Sequence, residues 1–363
     1  MSEYIICNLV PTYKEAPVSL ELLSDQSSYL IDALTSNTAN QKYIVLDKEN
    51  KSTQTYVKEL EAIPGITLVQ VTEKEGFVFG NKTAVVKVVN GEKPLPTGVD
   101  RKLPVYSVEE LLKKEEKTFF LGGNAKTKGK YTFAKIIKPR VILEGCGSLK
   151  EFKGMYFGYP MGNVIGAGQL EEEIEIRTDY VHIFDETDCI LDQLVKIAAR
   201  YSKESCGRCV YGYEGVTQIA MILSEMSQKK GKSEDIELLM DLCSRMQTQS
   251  LCEVGTSAAT TVQTALVNFK EEIEEHITKK NCRAVVCEKF VTYHILPDLC
   301  TGCNECVDSC QDDAILGKKK FIHVIDLEEC IQCGACVSAC EEGAIIKAGA
   351  NKPKGPKKPI PCK

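Results

Sequence analysis

Cys300-Thr-Gly-Cys303-Asn-Glu-Cys306-Val-Asp-Ser-Cys310 is answered thirty positions later by Cys330-Ile-Gln-Cys333-Gly-Ala-Cys336-Val-Ser-Ala-Cys340. The two runs have the same cysteine spacing. In each, a Cys-x2-Cys-x2-Cys turn can aim three thiolates at one iron–sulfur cluster. The fourth cysteine, one helical step on, reaches the cluster of the other run. The spacing therefore assigns Cys300, Cys303, Cys306 and Cys340 to one 4Fe-4S cluster and Cys330, Cys333, Cys336 and Cys310 to a second. Paired zinc knuckles or buried free thiols are the competing readings, and neither needs a doubled trio-plus-one. The proline that usually follows the fourth cysteine is Gln311 in one run and Glu341 in the other. That proline shapes the turn and is not a ligand. Nearby acids (Asp312, Asp313, Glu341, Glu342) favour the oxidised, less negative cluster and hence a low potential.

Composition narrows the setting. The chain has 18 cysteines in 363 residues, a high share for its length. Disulfide scaffolds are mostly small and secreted, and the N-terminal stretch does not resemble a signal peptide. No apolar run approaches the ~20 residues of a membrane span. A reducing cytoplasm with metal-binding thiols is the expected setting. The net charge of −6 disfavours nucleic acid as a partner.

The remaining chain reads as an α+β multidomain protein. Residues 1–135 alternate strand-like runs (Tyr43–Leu46, Ile66–Val71, Thr83–Val89) with helical ones (Ser19–Leu34, Gln54–Ala62, Ser107–Lys114), which predicts a small α/β domain. A β and glycine-rich connection follows over 136–184, with a turn-dense stretch at Phe157–Gly168. Helical periodicity over 185–280 predicts a bundle, with Ile190, Leu191, Leu194 and Ile197 on one face. The candidates after that first helix are Gly215–Met226, Glu234–Met246 and Ser257–Ile277. The two-cluster module occupies 281–348, and a Pro/Lys/Gly-rich tail at 349–363 is expected to be flexible.

A second cysteine group lies in the bundle: Glu204-Ser-Cys206-Gly-Arg-Cys209-Val-Tyr-Gly212, then Leu251-Cys252-Glu-Val-Gly-Thr-Ser-Ala-Ala259. Here the chain resembles the family of flavin-bearing, NADH-oxidising subunits of respiratory complex I. It is similar to the version in soluble NAD-linked hydrogenases and formate dehydrogenases, which ends in a two-cluster ferredoxin module. Asp185–Cys189, Phe157–Gly162, Gly76–Ala84 and Tyr4–Asn8 resemble further segments of that family, so the likeness extends over nearly the whole chain. In the family, Glu-Ser-Cys-Gly-x-Cys-x-x-Cys and a later Cys-x-x-Gly hold one 4Fe-4S cluster. The resemblance implies Cys206, Cys209 and Cys252 as three of those ligands, but Gly212 stands where the fourth would be. Three thiolates suit a 3Fe-4S cluster, or a 4Fe-4S cluster with a borrowed ligand, for which Cys189 and Cys243 are near in sequence. A 2Fe-2S cluster, another metal or an empty relic are the other readings.

The family binds FMN through a Gly-Arg-Gly-Gly-x-Gly-Phe-Pro loop whose backbone N–H groups approach phosphate. No such run occurs here, and Asn8 and Gly80 are followed by residues unlike the family's acids, so FMN is not expected on this chain. The resemblance also implies zinc at Cys282 and Cys287, with His323 as a third ligand, His294 as a weaker candidate and Cys362 as a fourth if the tail folds back. Ordinary buried thiols and a surface histidine are the alternative. The expected function is an iron–sulfur electron-transfer subunit of a hetero-oligomeric oxidoreductase. It would relay single electrons between a partner flavoprotein dehydrogenase or reductase, with ferredoxin as a further candidate partner, and its own clusters. The alternative is a diaphorase-type NADH dehydrogenase subunit that retains FMN. A third reading is a metal-stabilised assembly subunit with no redox role at the three-cysteine site.

Overall fold

The computed structural model describes residues 3–362, with the side chains of 51–55 and 73–75 left aside. The chain packs as two units. The first runs up to Glu186 and adds Leu194–Ile222 and Glu234–Phe269; the second comprises Thr187–Gln193, Leu223–Ser233 and the chain from Lys270 onward. The helical region 185–280 thus contributes to both.

In the first unit, a parallel four-stranded sheet is ordered Ile66–Val71, Gln41–Asp47, Tyr4–Asn8, Val105–Tyr106. Its alternating apolar residues meet helix Val18–Thr35, whose Leu22, Leu23, Leu30 and Leu34 join Ile5, Cys7, Ile44 and Leu46 in one core. Burying each such leucine contributes about 1.5–3 kcal/mol. The run Thr83–Val89, read as a strand from its β-branched residues, is instead the helix Lys82–Val89. Asn81 explains the difference. Its buried side-chain oxygen accepts the N–H groups of Thr83 and Ala84, and a capped N-terminus outweighs weak β-propensity.

A five-stranded sheet follows, ordered Gly129–Ala134, Glu116–Gly123, Tyr180–Phe184, Gly154–Phe157, Asn163–Gly166; only the Glu116–Gly123 and Tyr180–Phe184 pair is parallel. The glycine-rich stretch is the hairpin between the last two strands. Gly162 has φ +55°, and a Cβ there would stand 2.2 Å from Ser257 Oγ and 2.3 Å from its carbonyl oxygen. Glycine at this turn lets helix Glu253–Asn268 lie close against it. The expected single helix Ser257–Ile277 is two, Glu253–Asn268 and Lys270–Thr278, because Phe269 leaves helical geometry at φ −128°, ψ 30°.

The second unit is built on short strand pairs. Thr292–Ile295 pairs with Ile345–Ala348, and Ile315–Leu316 with Val324–Ile325, all antiparallel. Between them lie helices Glu305–Asp308 and Ala335–Ala339. The stretch expected as a flexible tail carries strand Ile360–Pro361, which pairs with Phe321–Ile322. Lys363 lies outside the described residues. Among the described residues, no helix is long and apolar enough to cross a membrane.

Candidate metal centres

The doubled motif folds into two cysteine quartets. Each trio sits on a loop with left-handed residues at matching places, Gly302 and Asn304 in one and Gln332 and Gly334 in the other. Such alternation turns successive N–H groups toward a common centre, a concavity suited to anionic clusters. Gly302 is required by close approach as well: a Cβ would meet Phe321 N at 2.7 Å. Cys300, Cys303, Cys306 and Cys340 line one small cavity with Ile295 and Ile345. Cys310, Cys330, Cys333 and Cys336 line another with Tyr293 and Ile325. The fourth cysteine of each run therefore lines the cavity of the other run's trio. Cys306 is pushed up to about 12 by burial, then by the other three thiols of its set. Cys336 is raised by burial and by Cys330, Cys333 and Cys310. At Cys306 and Cys336, burial and neighbouring sulfurs disfavour the thiolate, and a cationic iron core would make thiolate the stable form.

In the first unit, Cys206 and Cys209 follow helix Ile190–Glu204, and Cys252 caps helix Glu253–Asn268. The structure brings these three together. Cys252 is raised to about 11 by burial, lowered by the Val254 and Gly255 backbone, and raised again by Cys206 and Cys209. Cys209 Sγ accepts N–H groups from Gly212 (3.3 Å) and Leu251 (3.4 Å). Residues Tyr211–Gly215 form a π-turn, a local irregularity common at functional sites. Gly212 leaves the fourth corner without a thiol. Cys243 is a buried thiol of helix Asp235–Gln249, pushed up to about 12 by burial. Cys189 belongs elsewhere.

The sequence pair Cys282 and Cys287 is joined by Cys189 and His276, all four buried, with ligand atoms within 4.8 Å of one another. Cys189 Sγ lies 3.3 Å from His276 Nε2 and 3.5 Å from Cys287 Sγ, and Cys287 Sγ lies 3.6 Å from Nε2. Zinc–sulfur bonds of about 2.3 Å at tetrahedral angles separate sulfurs by roughly 3.8 Å, so a three-sulfur, one-nitrogen set of this size fits that ion. His276 Nδ1 lies 2.9 Å from the Glu272 carbonyl oxygen; an Nδ1–H donated there leaves Nε2 free to bind metal. Burial opposes charge on this imidazole, but hydrogen bonds to Cys189 and Cys282 raise its pKa to about 10. Cys282 is lowered by its contacts with Cys189 and Cys287, while Cys287 is raised by its contacts with Cys189 and Cys282. These shifts favour a thiolate at Cys282 beside a protonated His276, and a bound metal ion would displace that proton from Nε2.

The structure does not bring His323 to this pair. Its ring stands by the ferredoxin-type module, Nδ1 3.8 Å from Cys300 Sγ and Nε2 3.2 Å from Asn304 Oδ1. His294 contacts Thr292 instead. Cys362 does fold back, but onto the Cys300 carbonyl. His276 lies among charged neighbours on helix Lys270–Thr278 yet is only 1% exposed. The signal that finds it is an imidazole six residues before the first cysteine of the pair, on a helix that also buries Ile273 and Ile277.

Two family models match stretches of this sequence. Residues 192–276 match the NADH-ubiquinone oxidoreductase-F iron-sulfur binding region, and residues 292–342 match a 4Fe-4S dicluster domain. The first match takes in Cys206, Cys209 and Cys252, and the second takes in the doubled motif. Among curated relatives, HndC, a subunit of the NADP-reducing hydrogenase of Solidesulfovibrio fructosivorans, is 29% identical over 58% of this chain and 46% of that protein. A subunit of the NADH-quinone oxidoreductase of Streptomyces coelicolor is 27% identical over 45% of this chain and 39% of its own length. This chain thus spans under half the length of these relatives. Its fold is similar to a chain in the crystal structure of the NAD+-reducing [NiFe]-hydrogenase in the H2-reduced state, with a TM-score of 0.65 and 18% identity over 76% of this chain and 56% of that one.

Proposed function

We propose that the chain is an iron–sulfur electron-transfer subunit of an oxidoreductase complex that handles nicotinamide-linked reducing equivalents. The observation that carries this reading is the pair of cysteine quartets, each around its own cavity, in a chain whose relatives are subunits of NADP-reducing hydrogenase and NADH-quinone oxidoreductase. Bound clusters would supply one-electron transfer. The chain's own residues do the rest. Cys300, Cys303, Cys306 and Cys340 hold one cluster, and Cys330, Cys333, Cys336 and Cys310 hold the other. Ile295, Ile315, Ile325 and Ile345 shield the inner side of the two sets, where Cys306 and Cys336 are buried, while Cys303 and Cys333 are exposed. Glu342, in the lining of the first cavity, disfavours added negative charge. Cys206, Cys209 and Cys252 hold a third iron–sulfur group, and Cys189, His276, Cys282 and Cys287 hold zinc as a closed structural site. The two-electron partner is a flavoprotein, since single-electron carriers need a converter between hydride and electron.

A second reading, in which this chain binds its own flavin or nicotinamide, is favoured by one observation. A cleft of about 460 Å³ in the first unit is lined by Asn8, Gly80, Asn81, Lys82, Arg101 and Tyr159, several of them in the segments that resemble the NADH-oxidising family. Flavin analysis of anaerobically purified chain separates the two. The relay reading predicts no stoichiometric flavin and no NADH-driven dye reduction until a flavoprotein partner is added. Stoichiometric FMN with NADH oxidation by the chain alone would replace it with the second reading.

A further inference from the structure

The three-thiol site has a corner without a donor, and one buried oxygen lies beside it. Ser250 Oγ is shielded from solvent and has no hydrogen-bond partner among the described residues, a costly state for a hydroxyl unless a ligand completes it. Ser250 belongs to the segment that reaches the site: the next residue, Leu251, donates its N–H to Cys209 Sγ, and Cys252 follows. Its hydroxyl lies next to the corner that Gly212 leaves open. A Cβ built on Gly255 would stand 2.3 Å from Ser250 Oγ and 3.1 Å from Gly212 Cα, so the absence of a side chain at Gly255 makes room for the hydroxyl beside the place where a fourth thiol would start. The Ser205 hydroxyl, also near this corner, is engaged: Ser205 Oγ donates to the Gly212 carbonyl at 2.6 Å.

We propose that Ser250 Oγ is the fourth ligand of a 4Fe-4S cluster held by Cys206, Cys209 and Cys252, in place of the thiolate missing at Gly212. The proposal rests on the reading that this site holds an iron–sulfur cluster. Binding would be ligand exchange, not redox: the Ser250 oxygen would replace a hydroxide on the iron at this corner, the hydroxyl proton would leave with it as water, and no electron would change hands. An oxygen is a harder donor than a thiolate, so one iron of this cluster differs from the other three.

The test compares full-length wild type with Ser250→Ala and Ser250→Cys, each reconstituted anaerobically with iron and sulfide. Iron is counted, and EPR spectra are recorded in oxidised and reduced states. Wild type should carry about twelve irons, four per cluster. Ser250→Ala should lose about one iron and gain an oxidised-state 3Fe-4S signal. Ser250→Cys should keep about twelve irons, with a shifted reduced-state signal from this site; it also shows that the position tolerates substitution. A Ser250→Ala protein with wild-type iron and spectra would overturn the assignment. So would a 3Fe-4S signal already present in wild type and unchanged in Ser250→Ala. About eight irons in wild type, with every signal arising from the dicluster module, would instead remove the underlying reading that the site holds a cluster.

Discussion

At the scale of single residues, the four-ligand group shows how chemistry assembles from distant positions. Cys189 and His276 are 87 positions apart, and Cys189 and Cys287 are 98; no local spacing encodes such a set. The eight cysteines of the doubled motif are the opposite case. Their grouping rests on turns and single helical steps, and the same sets of four line the two cavities. Cys282 and Cys287 were paired through the family resemblance, whereas Cys189 and His276, which the tertiary fold brings to them, were not. Since a structural metal ties folding to binding, His276→Ala and Cys189→Ser should each reduce zinc from about one equivalent to a small fraction, with a drop of several degrees in Tm. Metal analysis with differential scanning calorimetry checks this. Wild type that carries no zinc, and gains no stability from added zinc, would contradict the assignment.

At the scale of elements, the loop that presents Cys282 is fastened from the helix before it. Glu275 accepts from Arg283 Nε and Nη2 at 3.1 and 3.0 Å and from Lys279 at 3.0 Å. The Arg283 hydrogen bond, then that of Lys279, holds its carboxyl at about 2, against an ordinary value of 4.5. A depressed carboxylate contributes stability that is complete above its unfolded pKa and is lost as pH falls through the folded one. The contribution should therefore be constant between pH 6 and 8. Solvent screening keeps it small, so Glu275→Gln should cost under about 1 kcal/mol, with weaker zinc retention. Urea denaturation across pH 6–8 checks both size and flatness; a cost that rises steeply within that window would point to another group. Elements were legible in the sequence wherever periodicity was strong, as in strand Ile66–Val71 and helix Val18–Thr35. The reading failed at Lys82–Val89, where the Asn81 cap and burial of Ala84 and Val85 outweighed β-branched composition.

At the scale of the whole molecule, the fold class was legible in coarse form because an early α/β alternation, a helical region and a cysteine-dense module each have their own pattern. The grouping into two packed units was not, since it places Thr187–Gln193 and Leu223–Ser233 with the C-terminal module, far from it in sequence. The proposal that this chain holds two 4Fe-4S clusters in the doubled motif, and uses them for electron transfer, stands or falls on combined iron, sulfide and reductive titration of anaerobically purified chain. The prediction is at least about eight irons and eight sulfides per chain, with reversible uptake of at least about two electrons at low potential. Well-folded protein with no more than about four irons, or with zinc in the doubled motif and no reversible electron uptake, would contradict it.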